Sequence, residues 1–441
     1  MGELVLWYGM FAPCGRPVGT TGFARGAPSE IEWAASKGYK LQNGGARVII
    51  QGKMLHPERL VNVIVDGATI SGVNPVDKRT SCNFGGPEYY VCSGFFDPQV
   101  NGYGGVDFNG KDLNPERLHP AAISLASSGV TRFLPTLITA SHERTVRQLR
   151  ILAQAIEKDP VFERMCLGIH LEGPYISPED GPRGAHPREF VRLPNWDEVE
   201  QFQEACGGRL RLITLAPEID GAIPFMEQCV KKGIVIGIGH TNASEEVLEK
   251  AFRVGARISC HLGNGAHAVL PRHRNPIQKQ LSMDGLMASI IVDGIHLPDY
   301  VVKNFVRAKG ADRVLLTTDS MAGAAAPAGR YTLGDLEVEV REDDRSARLP
   351  GTPYLAGSSL TMNQAVNNVM QFTEGDLASA VQMAVQNGAK LFPDLGSQIV
   401  PGAPANLLLF EYVGKKVVVH STWVHGEEMS ETWEGVRCKG G

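Results

Sequence analysis

The sequence predicts an α/β fold: a (β/α)8 barrel of the TIM type with a small β-sandwich domain built from both chain ends. Eight short apolar runs alternate with helix-like segments along the middle of the 441-residue chain, and β-branched runs with tight turns occupy both flanks. Alternating strands and helices favour a parallel sheet, and eight strands match the number in a closed barrel. An open doubly wound sheet stays possible, but no G-x-G-x-x-G motif follows the first strand.

The strand-like runs of the middle region are short and apolar. They lie at residues 94–97, 131–135, 166–170, 211–215, 234–238, 257–260, 288–292 and 313–317. Between most of them lie segments with apolar residues at i, i+3 and i+4, which is the spacing of a helix face. These segments are ERTVRQLRILAQAIEK, WDEVEQFQEAC, EEVLEKAFRVG and YVVKNFVRAKG. We therefore expect the barrel domain to span residues 94–401.

The two flanks are predicted to pair with each other. On the N-terminal side, ARVIIQGK and LVNVIVDGATISGV contain strand-like runs broken by Asp-Gly and Ser-Gly turns. On the C-terminal side, ANLLLFEYVGKKVVVHSTWVHGE repeats the strand, turn, strand pattern. We expect residues 1–93 and 402–441 to form the small domain, while residues 1–45 show no pattern that assigns them a structure.

Composition argues against several classes of protein. The formal net charge of -5 gives no reason to expect nucleic-acid binding. The chain has no apolar run long enough to span a membrane, and its start lacks the basic leader of a signal peptide. The eight cysteines form no C-x-x-C pair and are expected to be reduced thiols, many of them buried. These features predict a cytoplasmic protein without nucleic-acid or membrane partners.

Polar residues gather where the predicted barrel strands end, which is the face on which barrel enzymes carry their chemistry. The chain has 12 histidines, and four of them follow predicted strands together with two carboxylates: His170, Glu172, His240, His261, His296 and Asp319. A lone histidine after a strand is more often a capping or core residue, and Asp319 alone would serve as a helix cap. Separate explanations of that kind account poorly for six such residues on one rim.

Glu172, His240 and His261 form a set of ligands suited to one divalent metal. Two neutral imidazoles and one carboxylate leave a coordination position for water. A metal held in this way polarises a carbonyl and lowers the pKa of its water, which then acts as the nucleophile. Asp319 is placed to take a proton from that water and to give it to a departing amine. Zinc is the leading candidate, and iron, manganese and cobalt also suit this set.

The first barrel strand carries Gln99 and Asn101, where many metal hydrolases have a His-x-His pair. Alternate residues of a strand face the same side, so both amides are expected to face the site. Neutral amides bind first-row metals poorly, which disfavours a second metal. We expect them to donate hydrogen bonds to the water on the metal or to the substrate; the alternative is that they only satisfy loop backbone.

Several motifs at the strand ends occur together with recognisable spacing: FFDPQVNGYGG, GVTRFLPTLIT, GIHLEGPYISPEDGPRGAH, ITLAPE, GHTNAS, CHLGNG, VDGIH, LLTTDSMAG and LAGSSLTM. From about residue 46 onward the chain resembles the N-acetylglucosamine-6-phosphate deacetylase family of the amidohydrolase superfamily. Other amidohydrolases usually carry His-x-His on strand one and a lysine on strand four. Strand four here ends in TLAP, without a lysine.

The resemblance implies a role for each candidate residue. It implies that Glu172, His240 and His261 hold a single metal, that Asp319 is the acid/base, and that His186 helps to polarise the acetyl carbonyl. It implies substrate contacts from Gln99, Asn101, Ala185, His186, Asn264, Gly265, Leu355, Ala356 and Gly357. It also implies a homodimer in which Arg274 and His296 reach the phosphate across the interface.

The activity implied is hydrolysis of N-acetyl-D-glucosamine 6-phosphate to D-glucosamine 6-phosphate and acetate. The loop after strand six departs from the usual Phe-Asn-Ala-Met or Tyr-Asn-Ala-Met, since it reads Gly263, Asn264, Gly265, Ala266, and two extra residues precede Arg274. Another N-acetylated amino-sugar phosphate, such as the galacto epimer, therefore stays an alternative. Two further alternatives are a two-metal amidohydrolase acting on peptide or cyclic amides, and a non-catalytic binding protein, against which the presence of Asp319 argues.

Overall fold

Strands and helices alternate through most of the structure, a computed structural model that describes residues 47–77 and 81–429. The strands are β1 (Val48–Leu55), β2 (Glu58–Asp66), β3 (Thr69–Pro75), β4 (Phe84–Ser93), β5 (Phe95–Val100), β6 (Gly102–Tyr103), β7 (Val106–Asp107), β8 (Val130–Ile138), β9 (Ile169–Glu172), β10 (Leu210–Leu215), β11 (Val235–Ile238), β12 (Ala256–Ser259), β13 (Met287–Ile291), β14 (Val314–Thr317), β15 (Gly329–Leu333), β16 (Leu336–Val340), β17 (Ala347–Arg348), β18 (Leu407–Val413), β19 (Lys416–Val424) and β20 (Glu427–Glu428). The α-helices are α1 (Leu118–Ser127), α2 (His142–Lys158), α3 (Pro160–Met165), α4 (Trp196–Ala205), α5 (Ala222–Lys231), α6 (Glu245–Val254), α7 (Pro276–Ser282), α8 (Asp299–Lys309), α9 (Met362–Thr373) and α10 (Leu377–Ala384). Short 3-10 helices lie at Pro115–Arg117, Arg188–Phe190, Ala311–Arg313, Gln386–Lys390 and Pro393–Leu395.

Eight parallel strands form the barrel, in the order β5, β8, β9, β10, β11, β12, β13, β14. The sheet closes where β5 meets the end of β14, through a parallel bridge between Val100 and Ser320 and a 2.8 Å hydrogen bond from the Asn101 amide to the Ser320 carbonyl. The predicted barrel is therefore confirmed. Parallel strands buried on both faces are mostly apolar, and this is why all eight could be found as short apolar runs.

Side chains reinforce the seam between the first and last barrel strands. The Asp97 carboxylate is fully buried, and it accepts hydrogen bonds from the hydroxyl of Thr318 (2.5 Å) and the hydroxyl of Thr317 (3.2 Å). It also accepts from the backbone amides of Thr318 and Gln99. Burial raises the pKa of Asp97 to about 7, although these hydrogen bonds oppose the shift. One buried carboxyl thus links the strand of Gln99 to the strand that leads to Asp319.

Both flanks of the chain join in one small mixed sheet. Its seven strands run in the order β20, β19, β18, β4, β1, β2, β3, and only β1 and β4 pair in parallel. The sheet has an apolar core of its own that includes Ile50, Val63, Val91, Leu407 and Trp423. This confirms a small β domain built from both chain ends. Its proposed limits at residues 93 and 402 stay predictions, and residues 1–46, 78–80 and 430–441 lie outside the described residues.

A hairpin of β15 and β16 follows the eighth barrel strand and was not predicted from the sequence. Its turn, Gly334–Asp335, is fastened to the barrel at two points. Asp107 accepts hydrogen bonds from the Thr332 hydroxyl and the Gly334 amide, both at 2.9 Å, and Arg144 forms an ion pair with Asp335. The hairpin is thereby held against the end of the barrel that carries the polar residues.

The expectations drawn from composition have a mixed outcome. Five cysteines in the described part of the chain are free and buried, as predicted: Cys92, Cys166, Cys206, Cys229 and Cys260. Cys82 is disulfide-bonded, so the prediction of reduced thiols is wrong for that residue. Within the described residues, none of the helices has both the length and the apolar character needed to cross a bilayer.

We expect Asp97→Ala to destabilise the fold strongly, because it leaves buried hydroxyl and amide donors of the seam without an acceptor. The expected loss is at least about 2 kcal/mol in the free energy of unfolding, measured by urea denaturation. The matched control is Asp394→Ala, which removes an exposed ion pair with Arg211 and should cost no more than about 1 kcal/mol. Equal losses in the two variants would contradict the role of Asp97.

Candidate active site

Three of the predicted site residues have a backbone conformation that side-chain-bearing residues rarely adopt. His240, His261 and Asp319 follow β11, β12 and β14, and their φ angles are 51°, 28° and 49°. A positive φ in a residue other than glycine costs about 1–3 kcal/mol and is concentrated at functional sites. Each of the three residues lies two positions after the end of its strand, where the backbone turns away from the barrel rim.

The predicted metal ligands converge on one carboxylate oxygen. Glu172, the last residue of β9, has its Oε1 3.0 Å from Nε2 of His240 and 2.7 Å from Nε2 of His261. All three side chains are buried. Nδ1 of His240 lies 2.8 Å from the carbonyl oxygen of Pro182 and donates to it, so Nε2 is the atom available to a metal.

The charge state of Glu172 suits a metal ligand. Burial raises the pKa of this carboxyl, but its close contacts with His240 and His261 outweigh burial and hold the pKa well below its usual range. The group is therefore an anionic carboxylate between two imidazoles. That donor set is typical of sites for zinc and other divalent first-row metals.

Two further side chains lie close enough to join this set. Possible ligand atoms of Glu172, His186 and His240 all lie within 4.8 Å of one another, and so do those of Glu172, Cys260 and His261. Sequence analysis missed Cys260, which lies between β12 and His261 and looks there like a core residue. Its thiol donates to Oε1 of Gln99 at 3.1 Å, which ties strand six to strand one beneath the site.

Gln99 and Asn101 face the site from the same side of β5, as the strand alternation predicted. Both donate to one oxygen of Asp319: Gln99 Nε2 lies 2.9 Å and Asn101 Nδ2 lies 2.7 Å from Oδ1. Burial, with a further contribution from the negative charge of Glu172, raises the pKa of Asp319 to about 6. The two amides hold the carboxylate in one orientation and leave Oδ2 for proton transfer.

The histidines at the strand ends differ in their surroundings. His170 lies inside β9, fully buried, with Nε2 2.8 Å from the Thr214 hydroxyl, and burial lowers its pKa to about 4. His170 is therefore a core histidine, as most lone histidines near the end of a strand are. His296 is also paired, with Nδ1 2.6 Å from the Asp293 carboxylate.

His186 is held as a neutral imidazole beside Glu172. Its Nε2 is 4.0 Å from the Glu172 carboxylate, and burial lowers its pKa to about 3. The backbone amide of Thr139 donates to Nδ1 at 3.4 Å, and the Thr139 hydroxyl lies 2.8 Å from the same atom. Because Nδ1 accepts, the proton of the neutral ring is assigned to Nε2.

A cavity of about 200 Å³ opens above these residues. Most of the predicted site residues line it: Asn101, Glu172, Ala185, His186, His240, His261, Asn264, Gly265, His296, Asp319, Leu355, Ala356 and Gly357. Gln99 lies below, behind Asp319. Arg274 is not among the lining residues; its side chain is 88% exposed, and its nearest carboxylate is that of Glu245, at 4.0 Å.

The altered loop after strand six packs directly on a predicted metal ligand. Gly265 has a φ of 57°, and a Cβ at this position would lie 2.9 Å from Nδ1 of His240. A larger residue would therefore press on the His240 ring as well as strain the backbone. The local sequence Gly263–Ala266 thus brings the backbone close to the imidazole.

Comparisons with known proteins place this geometry in context. A model of the amidohydrolase family matches residues 90–429. An N-acetylglucosamine-6-phosphate deacetylase of Lysinibacillus sphaericus is 31% identical over 336 residues, which are 76% of this chain and 84% of the relative. An N-acetylgalactosamine-6-phosphate deacetylase of Escherichia coli O157:H7 is 29% identical over 339 residues, 76% of this chain and 87% of the relative. A solved structure of an N-acetyl-D-glucosamine-6-phosphate deacetylase mutant from Mycobacterium smegmatis, in complex with N-acetyl-D-glucosamine-6-phosphate, has a TM-score of 0.78 and 26% identity, and covers 87% of this chain and 100% of that chain.

Substitution of a predicted metal ligand and substitution of either amide residue should affect the metal content differently. We expect His240→Ala to lower the bound metal, because it removes a predicted ligand. Gln99→Ala and Asn101→Ala should keep the metal content of the parent, since both side chains donate to Asp319. Elemental analysis after dialysis measures the metal-to-protein ratio. Loss of half of the metal in either amide variant would indicate a second ion and contradict this assignment.

Proposed function

The chain belongs to the amidohydrolase family, and from this membership and the site we propose that it hydrolyses N-acetyl-D-glucosamine 6-phosphate to D-glucosamine 6-phosphate and acetate. The observation that carries the proposal is the buried Glu172–His240–His261 set with Asp319 beside it in one cavity. The deacetylase from L. sphaericus supports the same substrate class, since it matches over most of both chains.

The residues present fit one divalent metal, bound by Glu172, His240 and His261. When bound there, it would supply Lewis-acid polarisation of the amide carbonyl and make a water acidic enough to react. The remaining roles belong to side chains. His186, with its proton on Nε2, donates to the carbonyl oxygen, and its low pKa keeps the ring neutral.

Asp319 performs the proton transfers. Its pKa of about 6 leaves it mostly ionised at neutral pH, so it can accept the proton of the attacking water through Oδ2. The same carboxyl then gives the proton to the departing sugar amine. Gln99 and Asn101 keep Oδ1 engaged throughout, which fixes the direction of the acid/base group.

We propose that the sugar phosphate lies at the end of the cavity formed by Asn264, Gly265 and His296, with Leu355–Gly357 along the sugar. Arg274 is exposed and does not line the cavity of its own chain. Its proposed role therefore requires a homodimer, in which it reaches the phosphate of the neighbouring site. A cytoplasmic location, zinc as the metal and the homodimer all stay predictions.

Two alternative functions are compared with the proposed one: another sugar substrate and a two-metal enzyme. The galacto epimer stays open because a relative of nearly equal identity is an N-acetylgalactosamine-6-phosphate deacetylase. Side-by-side kcat/KM values for the two sugars would separate these substrates, because an inverted hydroxyl leaves a hydrogen-bonding group of the site unpaired. A two-metal enzyme is disfavoured because the side-chain amides of Gln99 and Asn101 donate hydrogen bonds to Asp319, where a second metal would need ligands.

The first test is acetate release from N-acetylglucosamine 6-phosphate by the metal-loaded protein. We expect turnover in the parent, and in Asp319→Asn a kcat lower by about 10²–10⁴-fold. KM should change little in that variant, because Asp319 acts on the reacting atoms. Absence of acetate from a fully loaded parent would overturn the proposed function, and near-normal turnover of Asp319→Asn would remove that residue from the mechanism.

Arg274→Ala should raise KM for the phosphorylated sugar with little change in kcat, because it removes a charge that holds the phosphate. The control substrate is unphosphorylated N-acetylglucosamine, for which the parent and Arg274→Ala should differ little. Arg253→Ala, another exposed arginine, is the control variant. An equal loss on both sugars would mean that Arg274 does not contact phosphate.

A further inference from the structure

A thin apolar wall separates the active-site cavity from a second cavity. The second cavity lies between the hairpin and the outer side of the barrel rim and is small, about 20 Å³, which is room for about one water molecule. Three residues line both cavities: Ile138, Leu333 and Leu336. These three side chains are therefore shared between the two spaces and face each of them.

The wall has a fixed position. Ile138 and Leu333 are buried in an apolar cluster together with Met321 and Ala356, and Leu336 packs half-buried against the same cluster. The hairpin turn between Leu333 and Leu336 is fastened by the hydrogen bonds to Asp107 and the ion pair with Arg144. Ile138 is anchored separately, because its amide donates to Asn109 Oδ1 at 2.9 Å.

The wall lies on the side of the cavity that a substrate's acyl group would face. The apolar cluster contains Met321 and Ala185, which lie two residues from Asp319 and next to His186. In the proposed reaction His186 donates to the carbonyl oxygen and Asp319 accepts the proton of the attacking water. Both groups therefore lie close to the carbonyl carbon, to which the acyl substituent is bonded. The polar end of the cavity, at Asn264 and His296, is assigned to the sugar phosphate, so the methyl group is left to the apolar side.

We infer that Ile138, Leu333 and Leu336, which line the active-site cavity, restrict the acyl group of the substrate to about the size of acetyl. This inference rests on the proposed deacetylase function. Selectivity for acyl length depends on how well the acyl group fits the apolar pocket, and a single methylene there changes kcat/KM by about 10-fold or more.

The test compares N-acetyl- and N-butyryl-glucosamine 6-phosphate as substrates of the metal-loaded protein. The parent should strongly prefer the acetyl compound. Leu336→Ala should raise the butyryl-to-acetyl ratio of kcat/KM by at least about 10-fold. The matched control is Leu349→Ala, because Leu349 packs on the same apolar cluster but lines neither cavity; its ratio should equal that of the parent.

The possible outcomes distinguish a failure of the acyl-size inference from a failure of the proposed deacetylase function. An unchanged ratio in active Leu336→Ala, or a parent that hydrolyses both compounds equally well, would overturn the inference while leaving deacetylation in place. A parent that releases no acetate would overturn the proposed function itself. If Leu336→Ala fails to fold, Leu336→Val provides the same comparison with a smaller shift in the same direction, and an unchanged ratio there would also count against the wall.

Discussion

The hydrogen bonds across the seam between the first and last barrel strands determine the rest of the site. Asp97 links β5 to Thr317 and Thr318. Further along the chain, Gln99 on β5 and Asn101 directly after β5 donate to Asp319. Closure of the barrel and orientation of the acid/base group are therefore achieved by neighbouring residues on the same strands. Because the hydrogen bonds to Asp97 are buried, each of their donors left without an acceptor would be costly.

Two carboxyl groups share the cavity, and their pKa values are shifted in opposite directions. Contacts with His240 and His261 keep Glu172 ionised, while burial and the charge of Glu172 raise the pKa of Asp319. Pairs of titratable groups whose pKa values are driven apart commonly divide the roles of a catalytic site. Here the division gives an anionic ligand on β9 and a proton carrier after β14, with the neutral His186 beside Glu172.

Elements outside the barrel strands shape the space above this chemistry. The Gly263–Ala266 loop rests on His240, the loop before His186 provides the Pro182 carbonyl that orients the same ring, and the β15–β16 hairpin supplies apolar side chains. Each of these segments is fastened by polar contacts to residues near the rim. The substrate cavity is thus formed by two loops and a hairpin that are held in place by contacts with the end of the barrel.

The sequence by itself determined the barrel, the small domain from both chain ends and the convergence of Glu172, His240, His261 and Asp319. Strand periodicity and position at a strand end carry that information, since parallel strands place their ends on one rim. Tertiary structure alone decided that Gln99 and Asn101 serve Asp319, that His170 belongs to the core, and that Cys260 and the hairpin adjoin the site. Those outcomes depend on contacts between residues distant in sequence, such as Gln99 with Asp319 and Thr332 with Asp107, and no local pattern specifies which side chains meet there.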